Sequence, residues 1–271
     1  MNDTPYAEVI GDPIAHSKSP LIHGFWLKKL GIDAAFRTAH VKNEELAAYF
    51  ESRKADPLWR GCNVTVPHKL AVMDFAEDRG GVRASIGAMN TILRTPEGAL
   101  IGTNTDAAGF YAPLAEIDLA GKPVTVIGAG GGARAVLFAL ARCGVGPVTI
   151  LNRNVLKGAS LLAAFGLKGK ALPLDAMLPP SALIVNASAL GMKAMPPFVP
   201  DLSAQPEDCI VYDIVYAPLQ TGLLAAAEAR DLATIDGLEM LVGQAAVAFE
   251  LFFGAAPPRE HDEALRALLI A

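Results

Sequence analysis

Short apolar runs recur along the chain. Several are closed by glycine, proline or asparagine, and helical stretches lie between them. Ala7 to Gly11 reads as a strand ended by Gly-Asp-Pro. Ser19-Pro20 opens a helix to about Leu30, with Ser19 as N-cap and proline at the first helical position, where its missing N–H is not needed. Phe36 to His40 predicts a second strand, Glu44 to Ser52 a helix, and Gly61 to Val66 a third strand halted by Pro67. Lys69 to Glu77 reads as helical, Thr91 to Arg94 with Ala99 to Gly102 as a hairpin, and Asp106 to Ile117 as a further helix. After the turn Gly121-Lys122-Pro123 comes a βαβ unit: strand Val124 to Gly128, helix from about Gly132 to Cys143, strand Val148 to Asn152. Leu183 to Asn186, Cys209 to Asp213 and Ala233 to Ile235 predict three more strands. The proline-rich stretch Met192 to Pro200 reads as a loop, and Leu238 to Gly254 and His261 to Ile270 as closing helices. Alternation of this kind implies an α/β fold with parallel sheets.

Composition narrows the class. The chain has 271 residues, 52% hydrophobic and 19% charged, which is ample for a buried core and the reverse of a disordered balance. A mean hydropathy of +0.34 raises the question of a membrane span. Arg134 and Arg142 interrupt the apolar stretch Val124 to Leu151, and Gln244 and Glu250 interrupt Leu241 to Ala256, so neither is an unbroken run of spanning length. A net charge of -5 and a pI near 5.6 argue against nucleic acid or an anionic membrane as partner. Met1-Asn2-Asp3-Thr4-Pro5 carries neither the basic nor the apolar region of a signal peptide, so the expected compartment is cytoplasmic. Cys62, Cys143 and Cys209 lie far apart and read as reduced, buried thiols. The five histidines show no zinc spacing, and no metal is expected.

The βαβ unit carries Gly128-Ala129-Gly130-Gly131-Gly132-Ala133, a G-x-G-x-x-A run between strand and helix. Gly128 permits the tight turn, Gly130 lets the backbone approach a pyrophosphate, and Ala133 lets the helix sit close on the sheet. The helix N-terminus offers unpaired N–H groups and the positive end of its dipole. Dinucleotide sites for NAD usually place a carboxylate at the end of the next strand. Here the residues are Asn152, Arg153 and Asn154, with Lys157 nearby, so a 2′-phosphate would be attracted and NADP is expected. A solvated basic turn is the plainer alternative.

A Rossmann segment alone names no reaction. The N-terminal half adds Ser17-Lys18-Ser19-Pro20, Asn63-Val64-Thr65-Val66-Pro67-His68-Lys69 and Asn104-Thr105-Asp106, a set of hydroxyl, amide, ammonium and carboxylate groups suited to a polyhydroxylated acid. Each has an ordinary structural explanation: Ser19 or Asp106 as a helix cap, Asn63 or Asn90 satisfying a turn, Lys69 as a surface residue, His68 as its neighbour.

Taken in order, the runs S-x-S-P, N-V-T-V-P-x-K, A-x-N-T, N-T-D, G-A-G-G, N-R and G-x-x-M-L-x-x-Q make the chain resemble the shikimate dehydrogenase family from Ser17 to Gln244. The resemblance implies two domains. Residues 1–106 with 237–271 would bind substrate and carry catalysis, the C-terminal helices packing back on the first domain, and residues 107–236 would be a Rossmann-type NADP-binding domain. It implies NADP-dependent, reversible reduction of 3-dehydroshikimate to shikimate in chorismate and aromatic amino-acid biosynthesis. Ser17 and Ser19 would hold the carboxylate; Thr65, Asn90 and Gln244 would bind ring hydroxyls or flank the ring; Tyr216 would lie by the substrate. Lys69 and Asp106 would be the catalytic pair. Gly128, Ala129, Gly130, Gly131 and Gly132 would hold the pyrophosphate, Asn152, Arg153 and Lys157 the ribose phosphate, and Ile214 and Gly237 would lie against the nicotinamide. The partner is then a small molecule, and the sequence leaves a homodimer open. A quinate or other hydroaromatic acid dehydrogenase of the same family, and a non-catalytic nucleotide-sensing module, are the competing readings. Three departures from the family pattern stand out: Thr103, Asn154, and the Ser188-Ala189 pair.

Overall fold

The computed structural model describes residues 4–193 and 195–271. Met1, Asn2 and Asp3, on which part of the expectation of no leader rests, and Ala194 in the predicted loop, lie outside the described residues. The chain divides into two compact units, Met1–Thr105 with Gln244–Ala271, and Asp106–Gly243.

The first unit holds strands β1 (Tyr6–Gly11), β2 (Ala35–His40), β3 (Trp59–Val64), β4 (Thr91–Arg94) and β5 (Leu100–Thr103). Helices α1 (Ser19–Leu30) and α2 (Leu46–Lys54) join the first three strands, and the short α3 (Val82–Ser85) precedes β4. The sheet runs β2-β1-β3-β4-β5. Its first three strands are parallel and β4 and β5 form the antiparallel hairpin. Every residue of β1 is buried, as a central strand covered on both faces requires. Ala248 and Phe252 of the C-terminal segment pack on Ala7, Val9, Ile14 and Phe36. His23 is stacked on Phe36 with ring centroids 3.9 Å apart, and its ring also meets Trp26, Phe249, Phe252 and Phe253.

Asp106–Gly243 contains α4 (Asp106–Tyr111), β6 (Val124–Ile127), α5 (Gly131–Arg142), β7 (Val148–Leu151), α6 (Val155–Ala164), β8 (Gly169–Leu172), β9 (Leu183–Asn186), β10 (Ile210–Asp213), α7 (Gly222–Glu228) and β11 (Ala233–Ile235). Helix α8 (Gly237–Phe253) starts in this unit, and α9 (Asp262–Ile270) ends the chain in the other. The six strands are ordered β11-β10-β9-β6-β7-β8 and all are parallel. Counted from β6, that is the 3-2-1-4-5-6 order of a doubly wound dinucleotide sheet, with its switch point between β6 and β9. Among the described residues, no helix is long and apolar enough to cross a membrane, and no group of three His, Cys, Asp or Glu could hold a metal ion.

Several local expectations are corrected. Ser19 is not the N-cap of α1 but its first residue; Lys18 holds the cap position, and its side chain does not cap the helix. The hydroxyl that accepts the Ser19 N–H is that of Ser17, at 3.3 Å. Lys69 to Glu77 is not one helix. It holds only a short 3-10 turn at Ala71–Asp74, because the Glu77 N–H is taken by Leu100 O at 2.8 Å and Glu77 O accepts from Gly102 N at 2.9 Å. The helix from Asp106 stops at Tyr111, since Pro113 has no N–H to return to Gly109. Helix α6 was not legible because Gly158 interrupts it. A Cβ there would lie 3.0 Å from Ala171 and 3.1 Å from Ile150, so the glycine admits close packing on the sheet and does not end the helix.

His23 is fully buried among aromatic rings, and desolvation lowers its pKa to about 3, partly opposed by the neighbouring Asn63 carboxamide. The unfolded chain therefore takes up a proton below about pH 6.5 that the folded chain refuses until about pH 3. Stability from this group is complete above that window and falls as pH falls through it. Equilibrium urea unfolding from pH 6 to pH 4 should show the wild type losing stability more steeply than His23→Leu, by about 1 kcal/mol per pH unit. Parallel pH profiles for the two proteins would show that His23 is not a buried neutral ring.

Candidate active site

In open α/β sheets, ligands collect beyond the carboxyl ends of the strands. In the first unit these ends belong to the parallel strands β1, β2 and β3, of which β1 and β3 are neighbours in the sheet. The segment after β1 carries Ser17, half-buried, and Ser19, buried. The segment after β3 carries Thr65 and Lys69, both half-buried. The two segments are held together by backbone bonds from Thr65 N to Ile10 O at 2.9 Å and from Asp12 N to Val66 O at 3.1 Å. Gly11 is required here, because a Cβ would fall 2.6 Å from Thr65 Cγ2.

Lys69 sits on a turn with a fixed base. His68 N donates to Thr65 O at 3.0 Å, and the fully buried His68 ring meets Val41 O through Nε2 at 2.6 Å. The Lys69 carbonyl accepts from Met89 N at 2.8 Å. His68 is thus an anchor for the lysine turn, as a neighbour and not a base. Behind this turn lies a set of buried polar side chains: Asn63, Asn90, Thr91, Thr105 and Gln244. Asn63 Nδ2 donates to Thr91 Oγ1 at 3.0 Å, Asn90 Nδ2 to Thr105 Oγ1 at 2.9 Å, and Thr105 Oγ1 lies 3.4 Å from Gln244 Oε1. The first unit therefore gathers Thr65, Lys69, Asn90 and Gln244 on linked segments. Thr91 and Thr105 belong to the same set but were not singled out from sequence. The signal available was a hydroxyl directly beside each predicted site residue, at Asn90-Thr91 and Thr105-Asp106. Asp106 opens α4 in the second unit and is buried, with 4% of its surface exposed.

The second unit carries the glycine turn at its switch point. Gly128 has φ +105°, and a Cβ would lie 2.9 Å from the Ser188 Cβ, so both conformation and space demand glycine. Ala129 and Ala133 are buried under the turn. Gly130 is different. It caps α5 at an ordinary φ of -89°, it is exposed, and a Cβ there would meet nothing within 4 Å. The fold does not ask for glycine at this position; the bare backbone leaves room above the N-terminus of α5 for a phosphate group. Gly131 and Gly132 follow in the first turn, where a Cβ on Gly132 would lie 3.1 Å from Ile214 Cδ1. The Ile214 side chain is thereby placed over the start of α5. Gly237 is needed for close approach, since its Cβ would lie 2.4 Å from Val215 O. Burial pushes the pKa of the nearby Tyr216 phenol up.

Past β7, Asn152 Nδ2 donates to Asn154 O at 2.8 Å. Asn154 is the N-cap of α6, its Oδ1 accepting from Lys157 N at 3.0 Å, which gives this departure from the family pattern a structural use. Arg153 and Lys157 are exposed. Past β9 and β10 a second buried set appears. Asp213 accepts from Thr221 Oγ1 at 2.7 Å, Asn186 Nδ2 at 2.9 Å and Val215 N at 3.0 Å. Burial raises the Asp213 pKa and these three donors pull it back. Ser188 keeps a hydroxyl where the pattern has Thr-Ser, and its Oγ donates to Asn186 Oδ1 at 2.7 Å.

Two family models match. That of the shikimate dehydrogenase substrate binding domain covers residues 9–92, and that of the shikimate 5'-dehydrogenase C-terminal domain covers residues 237–265. The shikimate dehydrogenase (NADP(+)) of Sphingopyxis alaskensis is 68% identical over 268 residues, which is 99% of this chain and 98% of that protein. The crystal structure of shikimate 5-dehydrogenase from Thermus thermophilus in complex with NADP(H) and shikimate aligns at a TM-score of 0.84 and 34% identity, over 98% of this chain and 99% of that one. The ligand-free 5-ketofructose reductase of Gluconobacter sp. strain CHM43 aligns at a TM-score of 0.86 and 31% identity, over 100% of this chain and 99% of that one.

The contrast between the two glycines is testable. Gly130→Ala should leave thermal unfolding close to wild type while weakening dinucleotide binding by about tenfold or more in a fluorescence titration. Gly128→Ala should cost about 1–3 kcal/mol of stability by itself. Unimpaired dinucleotide binding in Gly130→Ala would remove the phosphate role.

Proposed function

Because this chain belongs to the shikimate dehydrogenase family, we propose that it catalyses the NADP-dependent, reversible reduction of 3-dehydroshikimate to shikimate, a step in chorismate and aromatic amino-acid biosynthesis. The observation that carries this reading is Lys69 on a turn pinned by a buried histidine, linked to the buried Asn90 and Gln244 set. The ordered motifs and the Gly130 opening support it. Residues 1–106 with 237–271 serve as the substrate domain and residues 107–236 as the NADP domain. The enzyme works in the cytoplasm on a small-molecule substrate, and a homodimer is the assembly to test by light scattering.

In this reading Ser17 and Ser19 hold the substrate carboxylate through their hydroxyls. Thr65, Asn90, Gln244 and Tyr216 fix the ring and its hydroxyls. Gly128 to Gly132 present backbone N–H groups to the pyrophosphate; Asn152, Arg153 and Lys157 bind the ribose phosphate; Ile214 and Gly237 fit against the nicotinamide. Bound NADPH supplies the hydride, and the oxidised cofactor takes it back in reverse. As the carbonyl carbon is reduced, its oxygen needs a proton, and Lys69 Nζ donates it; in the oxidising direction the neutral Lys69 amine accepts it from the hydroxyl. Asp106, the other member of the catalytic pair, hydrogen-bonds the reacting hydroxyl. The similarity to a 5-ketofructose reductase keeps other hydroxyl-bearing ketones in view alongside quinate.

A panel of shikimate, quinate and 5-ketofructose with NADP(H) and NAD(H) should give the highest kcat/KM for shikimate with NADP. Binding of NADP without turnover of any of these would favour the nucleotide-sensing reading. Lys69→Ala should lower kcat by roughly 10²–10⁴-fold while the shikimate Kd changes only a few-fold; a wild-type rate would remove the lysine from the mechanism. Arg153→Ala should raise the KM for NADP by about tenfold or more and leave that for NAD nearly unchanged. Equal losses with both cofactors would mean that Arg153 does not read the 2′-phosphate.

A further inference from the structure

The buried polar set beside the lysine turn has a direction, and one backbone group sets it. The Thr105 N–H can only donate, and it lies 2.7 Å from Asn90 Oδ1. That identifies the oxygen of the Asn90 carboxamide without reference to the side chain's own atoms. Thr91 Oγ1 lies 3.0 Å from the same oxygen, which carries no proton, and 3.4 Å from Thr105 Oγ1, so Thr91 gives its proton to the nearer Asn90 Oδ1. The hydroxyl has one proton to give. Towards Asn63, 3.0 Å away, Thr91 must therefore accept, and the Asn63 group facing it must be Nδ2. Asn63 Oδ1 is then turned away into the protein, where it is buried with no partner at hydrogen-bond geometry, near the buried His23 ring. On the other side, Asn90 Nδ2 donates to Thr105 Oγ1 at 2.9 Å. Turning the Asn90 carboxamide over would set its nitrogen against the Thr105 N–H and the Thr91 hydroxyl proton, donor against donor. All four side chains are more than nine-tenths buried, so water cannot relieve that conflict.

We propose that Thr91 is a positioning residue for the reaction: with Asn63 behind it, its hydroxyl is the second donor that, beside the Thr105 N–H, holds the Asn90 oxygen inward, so that Asn90 meets substrate as an N–H donor. This rests on the assignment of Asn90 to the substrate site. The consequence is a rule of specificity. The substrate atom at Asn90 must accept a hydrogen bond, as a hydroxyl or carbonyl oxygen does, and a protonated amine in the same place finds no partner. Without the Thr91 hydroxyl the carboxamide has less reason to keep one face inward. Binding of a hydroxyl oxygen then weakens, although no group that touches substrate has been removed.

The test compares Thr91→Val, Thr91→Ser and Asn90→Ala with the wild type. Thr91→Val should raise the KM for shikimate at least tenfold, change kcat less than threefold, and leave the KM for NADP within twofold. Thr91→Ser, which keeps the hydroxyl, should restore the shikimate KM to within threefold of wild type. The Thr91→Val penalty should also shrink below twofold with the deoxy analogue that lacks the hydroxyl held by Asn90, identified as the analogue insensitive to Asn90→Ala. A wild-type KM in Thr91→Val, equal losses for shikimate and NADP, or no rescue by serine would overturn the proposal. Should Thr91→Val fail to fold, Asn63→Asp is the second variant: its carboxylate draws the Thr91 proton away from Asn90, and the same selective rise in shikimate KM is expected. A wild-type KM in that variant overturns the proposal equally. If Asn90→Ala leaves the shikimate KM unchanged, the assignment of Asn90 itself fails; if it raises the KM and the Thr91 and Asn63 variants do not, only the positioning role fails.

Discussion

A carboxamide buried at the end of a sheet is costly unless its polar atoms find partners, and at Asn90 and Asn186 the two units of this chain build their loops around that demand. In the first unit the Asn90 oxygen is met by the Thr105 N–H and the Thr91 hydroxyl, and its nitrogen by Thr105 Oγ1. In the second, Asn186 gives its nitrogen to Asp213 and Leu190 O and takes the Ser188 hydroxyl on its oxygen. Each amide ties together segments that are distant in sequence and would otherwise have no reason to keep one conformation. The segments so tied are the ones that leave the strand ends, where an open sheet presents chemistry.

That economy explains why the groups assigned to catalysis stand on loops and still have fixed positions. Lys69 is held by no helix of its own, because the segment after it turns to pair with β5. Its geometry comes from the turn beneath, with His68 bonded to Val41 O in the core and the Lys69 carbonyl bonded to Met89 N. The dinucleotide turn follows a complementary logic. Gly128 is glycine because its φ and its neighbours leave no alternative, and at Gly132 a Cβ would press on the tip of Ile214, whereas Gly130 is glycine where the protein leaves space unused. Room that the fold itself does not need is what a phosphate-binding turn must provide.

Much of this was legible in residue order. Strands of four to six residues that are buried on both faces, such as β6 (Val124–Ile127) and β9 (Leu183–Asn186), announce themselves as apolar runs. The α/β class, the βαβ unit and the glycine turn follow from them. Less legible were elements whose signal is weak without neighbours. Strand β8 is a half-exposed edge strand, Gly-Lys-Ala-Leu, with no apolar pattern to display. Helix α6 carries a glycine that reads as a breaker until the sheet packed against it is seen. Before α1 the hydroxyl that accepts a backbone N–H is that of Ser17 and not Ser19, a distinction local propensity does not make.

The sequence by itself determined the order and kind of the main elements, the family to which the chain belongs, and the residue types available for chemistry, because periodicity and turn residues act over a few positions. Tertiary structure alone decided which polar atoms face one another. Asn63, Asn90 and Thr91 lie on different strands or loops, and their donor and acceptor directions follow from the Thr105 N–H that only the folded sheet brings to Asn90. Hydrogen-bond polarity is a property of contacts, and contacts between residues far apart in sequence exist only once the chain has folded.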